Sequence, residues 1–387
     1  MTDPLQVFVE GQQSGILLKE EGEFLFNYSE NTSPEQFISL TMPVRAKGYV
    51  HPQLHPFFEM SLPEGYLLAV IKKHFAKLVA TDDLGLLHIL APGVEGRVHY
   101  REKLHTGRPL LRLDQLLHPE SGELFGELVE RFALQSAVSG VQPKVLAQLQ
   151  EKATLKLGHY IVKSWGEDYP QLALNEYYCM QAFRLADIDV PPFYLSDDDR
   201  LFIMKRFDIA EDGTTLGFED MCVLQAKQRD HKYQGSYEQI AKSIKIFTSP
   251  PNKAESLRQL FKMVVLNTCL QNGDAHLMNF GVIYKDASSV RIAPAYDVVS
   301  TTAYIRNDIP ALTLLGSKKW WDYAGLVRFG MESCQMSRKQ IKENYQQCTD
   351  ALQQTHQQLQ LRLRKEKVEE KRSLLEHLSG LMVSYQN

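Results

Sequence analysis

Asp274 and Asn279 stand five positions apart in the run NGDAHLMNF, and Asp297 follows in APAYDVVST after a short apolar stretch. This is the D-x-x-x-x-N spacing with a later acidic residue that phosphoryl transfer uses. One carboxylate meets the acceptor hydroxyl. An amide and a second carboxylate hold Mg²⁺ against nucleotide phosphates, an ion that favours few protein oxygens plus phosphate. Asp274 is therefore the candidate base or hydroxyl-orienting group, and Asn279 and Asp297 are the candidate metal ligands. Singly, each has a plain explanation: Asp274 as a turn residue after Gly273, Asp297 as a strand-terminating acid. Together, on a helix–loop–strand–strand frame, they form an uncommon set.

Upstream residues complete the constellation. Lys163 lies mid-strand in HYIVKSWG, where an ammonium is costly without a partner. Either it binds ATP phosphates with Glu176 of the following helix as its orienting carboxylate, or it is a strand-end lysine reaching solvent; the downstream Asp/Asn/Asp set favours the first. In MKRFD the backbone from Met204 to Asp208 could meet an adenine edge, with Phe207 beside the ring and Asp208 near a ribose hydroxyl. The alternative is a plain hinge with Phe207 in the core. His276 either braces its loop by hydrogen bonding or touches phosphate. The phosphate loop is expected in SAVSGVQPK, Ser136 to Lys144. Its single glycine makes it neither G-x-G-x-x-G nor Walker A, but the backbone N–H groups of Ser139, Gly140 and Val141 could form an anion nest. His51 and His55 have helical metal-ligand spacing, but the prolines of HPQLHP spoil a helical face and no third ligand is evident. Asp197, Asp198 and Asp199 read as a polar turn before Arg200.

The elements needed to position these groups are legible. Val7 and Val9, Ile16 and Leu18, then Phe24, Phe26 and Tyr28 alternate at strand period, separated by turns at Glu10-Gly11 and Glu21-Gly22. Pro63-Glu64-Gly65 reads as a turn before a helix, and residues 101–115 as a connector. Strand-like segments from about Phe132, the strand carrying Lys163, an amphipathic helix LALNEYYCMQAFRLADID and the strand LFIMK follow one another. After Asp208 the pattern turns helical. Asn252 and Glu255 resemble a capping box, an apolar stripe runs through Leu257, Leu260, Phe261, Val264 and Val265, and Asn272-Gly273 is the expected stop. Asp274 then sits where a rigid helix releases the chain into a loop. Ser337 and Gln340 open a further helical region, and residues 354–385 add at least one more helix. Three units are expected: 1–105, 116–210 and 211–387.

Composition narrows the classes. A chain of 387 residues exceeds one typical core. Hydrophobic content of 44% and charged content of 23% describe an ordinary globular chain. A net charge of −4 provides no strong basic field to hold nucleic acid unaided. Five scattered cysteines without a C-x-x-C pair favour free thiols over a disulfide framework or zinc site. Neither a signal-peptide pattern nor an apolar run approaching the roughly 20 residues of a membrane span is evident. A soluble, cytoplasmic protein is expected.

With these motifs in order, nearly the whole chain resembles the HipA-like serine/threonine kinase toxins of bacterial toxin–antitoxin systems. FFEMSLPEG is similar to that family's N-terminal subdomain, VSGVQPK to its phosphate loop, NGDAHLMNF to its catalytic loop and APAYDVVST to its metal-binding segment. The resemblance implies an α+β, bilobal protein-kinase-like fold with a small β-rich N-terminal subdomain and a mainly helical C-terminal lobe. By position it implies that Asp274 is catalytic, that Asn279 and Asp297 bind Mg²⁺, that Lys163 binds ATP, and that Lys205, Phe207, Asp208 and Tyr296 line the nucleotide pocket. It further implies phosphorylation of serine in other proteins, with aminoacyl-tRNA synthetases as targets and translation inhibition as the outcome. The implied partner is a small helix-turn-helix antitoxin that contacts operator DNA, so DNA contact would be indirect.

Two other functions fit parts of the pattern. The same chemistry serves lipid or small-molecule acceptors, although no basic membrane-binding patch is evident. A catalytically silent, antitoxin-binding co-repressor would not need the intact Lys163, Asp274, Asn279 and Asp297 set. One departure from the family bears on regulation. Members often carry a serine two residues before the position of Ser139, and its autophosphorylation expels the loop; here that residue is Ala137. Ser139 is then the expected autophosphorylation site, because a phosphate there would repel nucleotide by like charge. Mass spectrometry after incubation with Mg–ATP is expected to find phosphate on Ser139, and phosphate found only elsewhere would contradict this.

Overall fold

The computed structural model describes residues 4–62, 82–91, 94, 96–100, 113–119, 153–157, 159–164 and 169–384. The expected phosphate loop, the Pro63-Glu64-Gly65 turn and most of the 101–115 connector lie outside these residues. The alternating N-terminal segments form strands β1 (Leu5–Val9), β2 (Gln12–Glu20) and β3 (Glu23–Tyr28), joined by two-residue turns. Glu10 and Gly11 have φ of 51° and 86°, Glu21 and Gly22 of 48° and 88°. Paired left-handed residues match the right-handed twist of the flanking strands. With β4 (Tyr49–His51) and β5 (Val98–His99) they make an antiparallel sheet of order β4-β3-β2-β1-β5. One face buries Val7, Val9, Leu17 and Phe26 against Phe57 and Phe58 of α1 (Pro56–Glu59) and Leu84 and Leu87 of α2 (Asp83–Leu90), and Leu116 of α3 (Leu113–Leu117) joins the same core. The rings of His51 and His55 lie 4.7 Å apart, but His55 Nδ1 accepts from Phe57 N and caps α1.

The second sheet positions the lysine. Strands β6 (Ala153–Leu157), β7 (Tyr160–Ser164), β8 (Phe193–Leu195) and β9 (Phe202–Lys205) lie in the order β6-β7-β9-β8. Period-two alternation splits its faces. Val162, Leu201 and Ile203 join the core of the N-terminal unit, whereas Phe202 and Met204 join the larger core with helix α4 (Leu172–Leu185). Lys163, paired in register with Phe202, faces the α4 side.

The C-terminal lobe is mainly helical: α5 (Met221–Leu224), α6 (Tyr237–Phe247), α7 (Pro250–Cys269), α8 (Tyr323–Glu332), α9 (Arg338–Leu363) and α10 (Glu369–Ser384). It also holds a small sheet of β10 (Gly217–Asp220), β11 (Gly281–Tyr284) and β12 (Arg291–Ile292). The Ser337–Gln340 capping box forms as expected. The other one does not: α7 starts at Ser249 with prolines in its first turn, Asn252 bonds instead to Ser249 Oγ at 3.0 Å, and Glu255 pairs with Arg258 at 2.5 Å. Proline at the first helical positions costs no hydrogen bond, so the helix begins earlier than the Asn252 signal suggests.

Two buried charged contacts fasten the units. Glu219 of β10 is fully buried and accepts from Ser39 Oγ (2.6 Å), Leu40 N (2.7 Å) and Tyr284 Oη (2.6 Å), which docks the N-terminal unit onto the C-terminal lobe. Burial raises its carboxyl pKa against these stabilising bonds. Asp199, expected in an exposed polar turn, is 3% exposed. It pairs with Arg362 at 2.6 Å and Lys371 at 2.5 Å, tying the β8–β9 turn to α9 and the α10 region. Helix α9 also packs along α4.

Candidate active site in the cleft

Helix α7 delivers the loop that carries Asp274. Its C-terminus closes with Gln271 in the left-handed region (φ 51°), Gln271 N on Thr268 O and Asn272 N on Asn267 O at 2.9 Å. This is a Schellman closure. The helix therefore ends at Cys269, with Gln271 as its left-handed closing residue, short of the Asn272-Gly273 pair. Asn272 is buried; its Oδ1 accepts from Asp274 N at 3.1 Å and sets the turn. A Cβ at Gly273 would stand 2.0 Å from Asp308 Oδ2 and 2.7 Å from Thr301 Oγ1, so both side chains would have to move to admit one. Beyond the turn, Asn279 Nδ2 donates to Asp274 O at 2.8 Å, which folds the D-x-x-x-x-N span into one unit. His276 is buried, with Nε2 3.8 Å from Asp274 Oδ1.

Asp297 reaches the same cleft from the segment after β12. Its φ of 55° is strained for a non-glycine residue, a feature of positions that the surroundings over-determine. Those surroundings are specific. Asn175 of α4 exchanges two bonds with Ser300, Oδ1 accepting from Ser300 N and Nδ2 donating to Ser300 O, each at 2.9 Å. Thr301 Oγ1 accepts from Gly273 N at 2.8 Å, which couples this segment to the Asp274 loop. Tyr296 Oη donates to Met278 O at 2.7 Å, and burial beside Asp220 and Asp297 keeps its phenol protonated well above the usual range.

The lobes meet at Lys163. Its ammonium lies 2.5 Å from Glu176 Oε1 and 2.9 Å from Asp297 Oδ1. The Lys163 and Glu176 side chains are 8% and 1% exposed, whereas Asp297 is 21% and Asp274 34% exposed. The Lys163–Glu176 pair is thus sealed while the Asp297 and Asp274 carboxylates remain reachable. A sealed ammonium between carboxylates, with a third oxygen acid and an amide on an adjacent loop, suits an Mg²⁺–triphosphate. Asp297 and Asn279 are the residues that would offer hard oxygen donors to such an ion.

The structure brings together Lys163, Glu176 and Asp297, and separately Asp274, Asn279 and His276, with Thr301 and Tyr296 linking the two sets. Lys205 ends β9, its backbone N donating to Pro192 O. Phe207 stacks on Tyr296 at 5.4 Å and meets Phe218 edge-on, packed against the core. Asp208 receives a bidentate pair from Arg206 at 3.0 and 2.7 Å. Ser139, Gly140 and Val141 lie outside the described residues. Asn175 and Thr301 escaped the sequence reading. Asn175 had a signal, being a polar residue on the buried side of α4 beside Glu176; Thr301 had none.

Fold and cleft define a two-lobed, kinase-like architecture of the HipA type. The chain belongs to the HipA-like family: residues 136–358 match the HipA-like C-terminal domain and residues 5–101 the HipA N-terminal domain. "Putative kinase Y4dM" of Sinorhizobium fredii is 30% identical over 68% of this chain and 66% of its own length. "Putative kinase" of Haemophilus influenzae is 30% identical over 47% of this chain and 59% of its own. The chain thus aligns with less than two thirds of the length of either relative. A chain of the Shewanella oneidensis MR-1 HipA, HipB and operator DNA complex superposes with a TM-score of 0.71, at 16% identity, covering 98% of this chain and 96% of that one.

Lys163→Met tests the assembly of the cleft. It removes the ammonium paired with the buried Glu176 carboxylate, a change worth about 3 kcal/mol. Urea denaturation is expected to show that loss, and thermal-shift assays to show no stabilisation by Mg–ATP. Undiminished stabilisation by Mg–ATP would contradict the placement of nucleotide beside Lys163.

Proposed function

We propose that this protein is an ATP- and Mg²⁺-dependent serine/threonine protein kinase acting as a toxin. The observation that carries the proposal is the single ammonium of Lys163 tied to both Glu176 and Asp297 across the cleft, beside a loop whose Asp274 and Asn279 are locked together. Lys163 holds the nucleotide phosphates and is itself aimed by Glu176. Asp297 and Asn279 hold Mg²⁺, which would neutralise charge on the transferring phosphoryl group. Asp274 orients the serine hydroxyl and takes its proton as the bond from serine oxygen to the γ-phosphorus forms and the bond to the bridging oxygen of ADP breaks. Phe207 and Tyr296 wall the nucleotide, Lys205 and Asp208 stand at the hinge, His276 braces the loop, and Ser139, Gly140 and Val141 cradle phosphate.

The protein target is an aminoacyl-tRNA synthetase, as the family resemblance implies, and its phosphorylation inhibits translation. A small helix-turn-helix antitoxin is the partner, supported by the complex of the Shewanella relative with HipB and operator DNA; contact with DNA runs through that antitoxin. No described helix is long and apolar enough to cross a membrane, which accords with a cytoplasmic site of action. Autophosphorylation of Ser139 would limit activity.

Asp274→Gln is the test. In a cell lysate with labelled ATP the wild type is expected to transfer phosphate to protein and the variant to lose at least about a hundredfold in rate, with its melting temperature retained. Equal labelling by both forms would contradict the proposal.

A further inference from the structure

Tyr233 lies outside the groups assigned above, yet its hydroxyl donates to Asp274 Oδ1 at 2.7 Å. The residue is 44% exposed, so core filling does not account for its position. Its ring meets His276 edge-on, with centroids 5.1 Å apart. The adjoining backbone is pinned to the same loop, because Lys232 O accepts from Leu277 N at 3.0 Å. Upstream, the segment is fastened to the N-terminal unit. Gln228 Nε2 donates to Leu54 O at 3.0 Å and Arg229 N to Glu59 Oε2 at 2.9 Å. The Arg229 guanidinium pairs with Glu59 at 3.4 Å and with Asp83 at 3.2 Å.

We infer that Tyr233 is a positioning residue for Asp274, and that the N-terminal unit holds it in place through Arg229. The inference rests on the phosphoryl-transfer role proposed for this site. The terminal torsion of an aspartate is broad, so a lone carboxylate on a loop samples many orientations. A hydroxyl fixed on Oδ1 selects one and leaves Oδ2 to meet the acceptor. Orientation of this kind raises the rate of the chemical step without changing nucleotide affinity. The N-terminal unit thereby takes part in turnover, although its described residues supply none of the groups assigned to the cleft.

The experiment compares full-length wild type and Tyr233→Phe by the initial rate of labelling of the protein band that the wild type labels in lysate. At saturating ATP the rate is expected to fall about tenfold or more, with the KM for ATP and the melting temperature unchanged. An unchanged rate overturns the inference, and so does a faster one, which would make Tyr233 a plug of the acceptor site. A fall accompanied by an equal rise in the KM for ATP also overturns it. Arg229→Gln is expected to lower the rate in the same manner, and the double variant to be no slower than Tyr233→Phe; independent, multiplying losses would break the proposed link to the N-terminal unit. Failure of the wild type to label any protein would instead remove the proposed function, and this inference with it.

Discussion

One buried ammonium organises this molecule. Lys163 leaves a β-strand of the small lobe, where an unpartnered charge would be prohibitive, and finds Glu176 from α4 and Asp297 from the far lobe within 2.5 and 2.9 Å. Removing charges from water is repaid only by close, well-aligned partners, so the strand, the helix and the segment before Ser300 must arrive together. On the function proposed, the same ammonium that satisfies the fold also receives phosphate oxygens. Stability and function are in this sense drawn from one contact.

The rest of the architecture holds those three elements in register. Helix α4 contributes twice, through Glu176 to the lysine and through Asn175 to the backbone of Ser300. Helix α9 packs along α4, and Asp199 ties the turn of the same small sheet to Arg362 and Lys371. From the other side Glu219 receives the N-terminal unit on two hydrogen bonds, from Ser39 Oγ and Leu40 N, with Tyr284 Oη of its own lobe as a third donor. Loss of a partner would weaken the support of a buried charge or polar group, which costs more than an exposed bond is worth.

The candidate loop was largely legible because it is written locally. Asp274 and Asn279 share one loop, and their spacing survives into the Asn279 Nδ2 to Asp274 O bond. The hairpins could be read from alternating residues, and α4 from its helical period. What could not be read depends on residues distant in the chain. Asn175 and Ser300 are separated by 125 positions, and neither has a side chain that marks the other. Tyr233 lies in a short irregular segment with no periodicity. Asp199 looks like a turn residue because its partners lie in helices more than 160 residues away. The Asn252 cap and the Asn272-Gly273 stop each missed by a residue or more because prolines and a left-handed glutamine did work usually given to polar caps and glycine.

On the function proposed, Asp297 and Asn279 meet at one metal–nucleotide site next to Lys163. Electron paramagnetic resonance of Mn²⁺, a spectroscopic stand-in for Mg²⁺, tests it most directly when titrated into the protein with ATP present. Wild type is expected to retain Mn²⁺ together with the nucleotide, and Asp297→Asn to bind it about tenfold or more weakly. Indistinguishable Mn²⁺ binding by the two proteins would contradict the account.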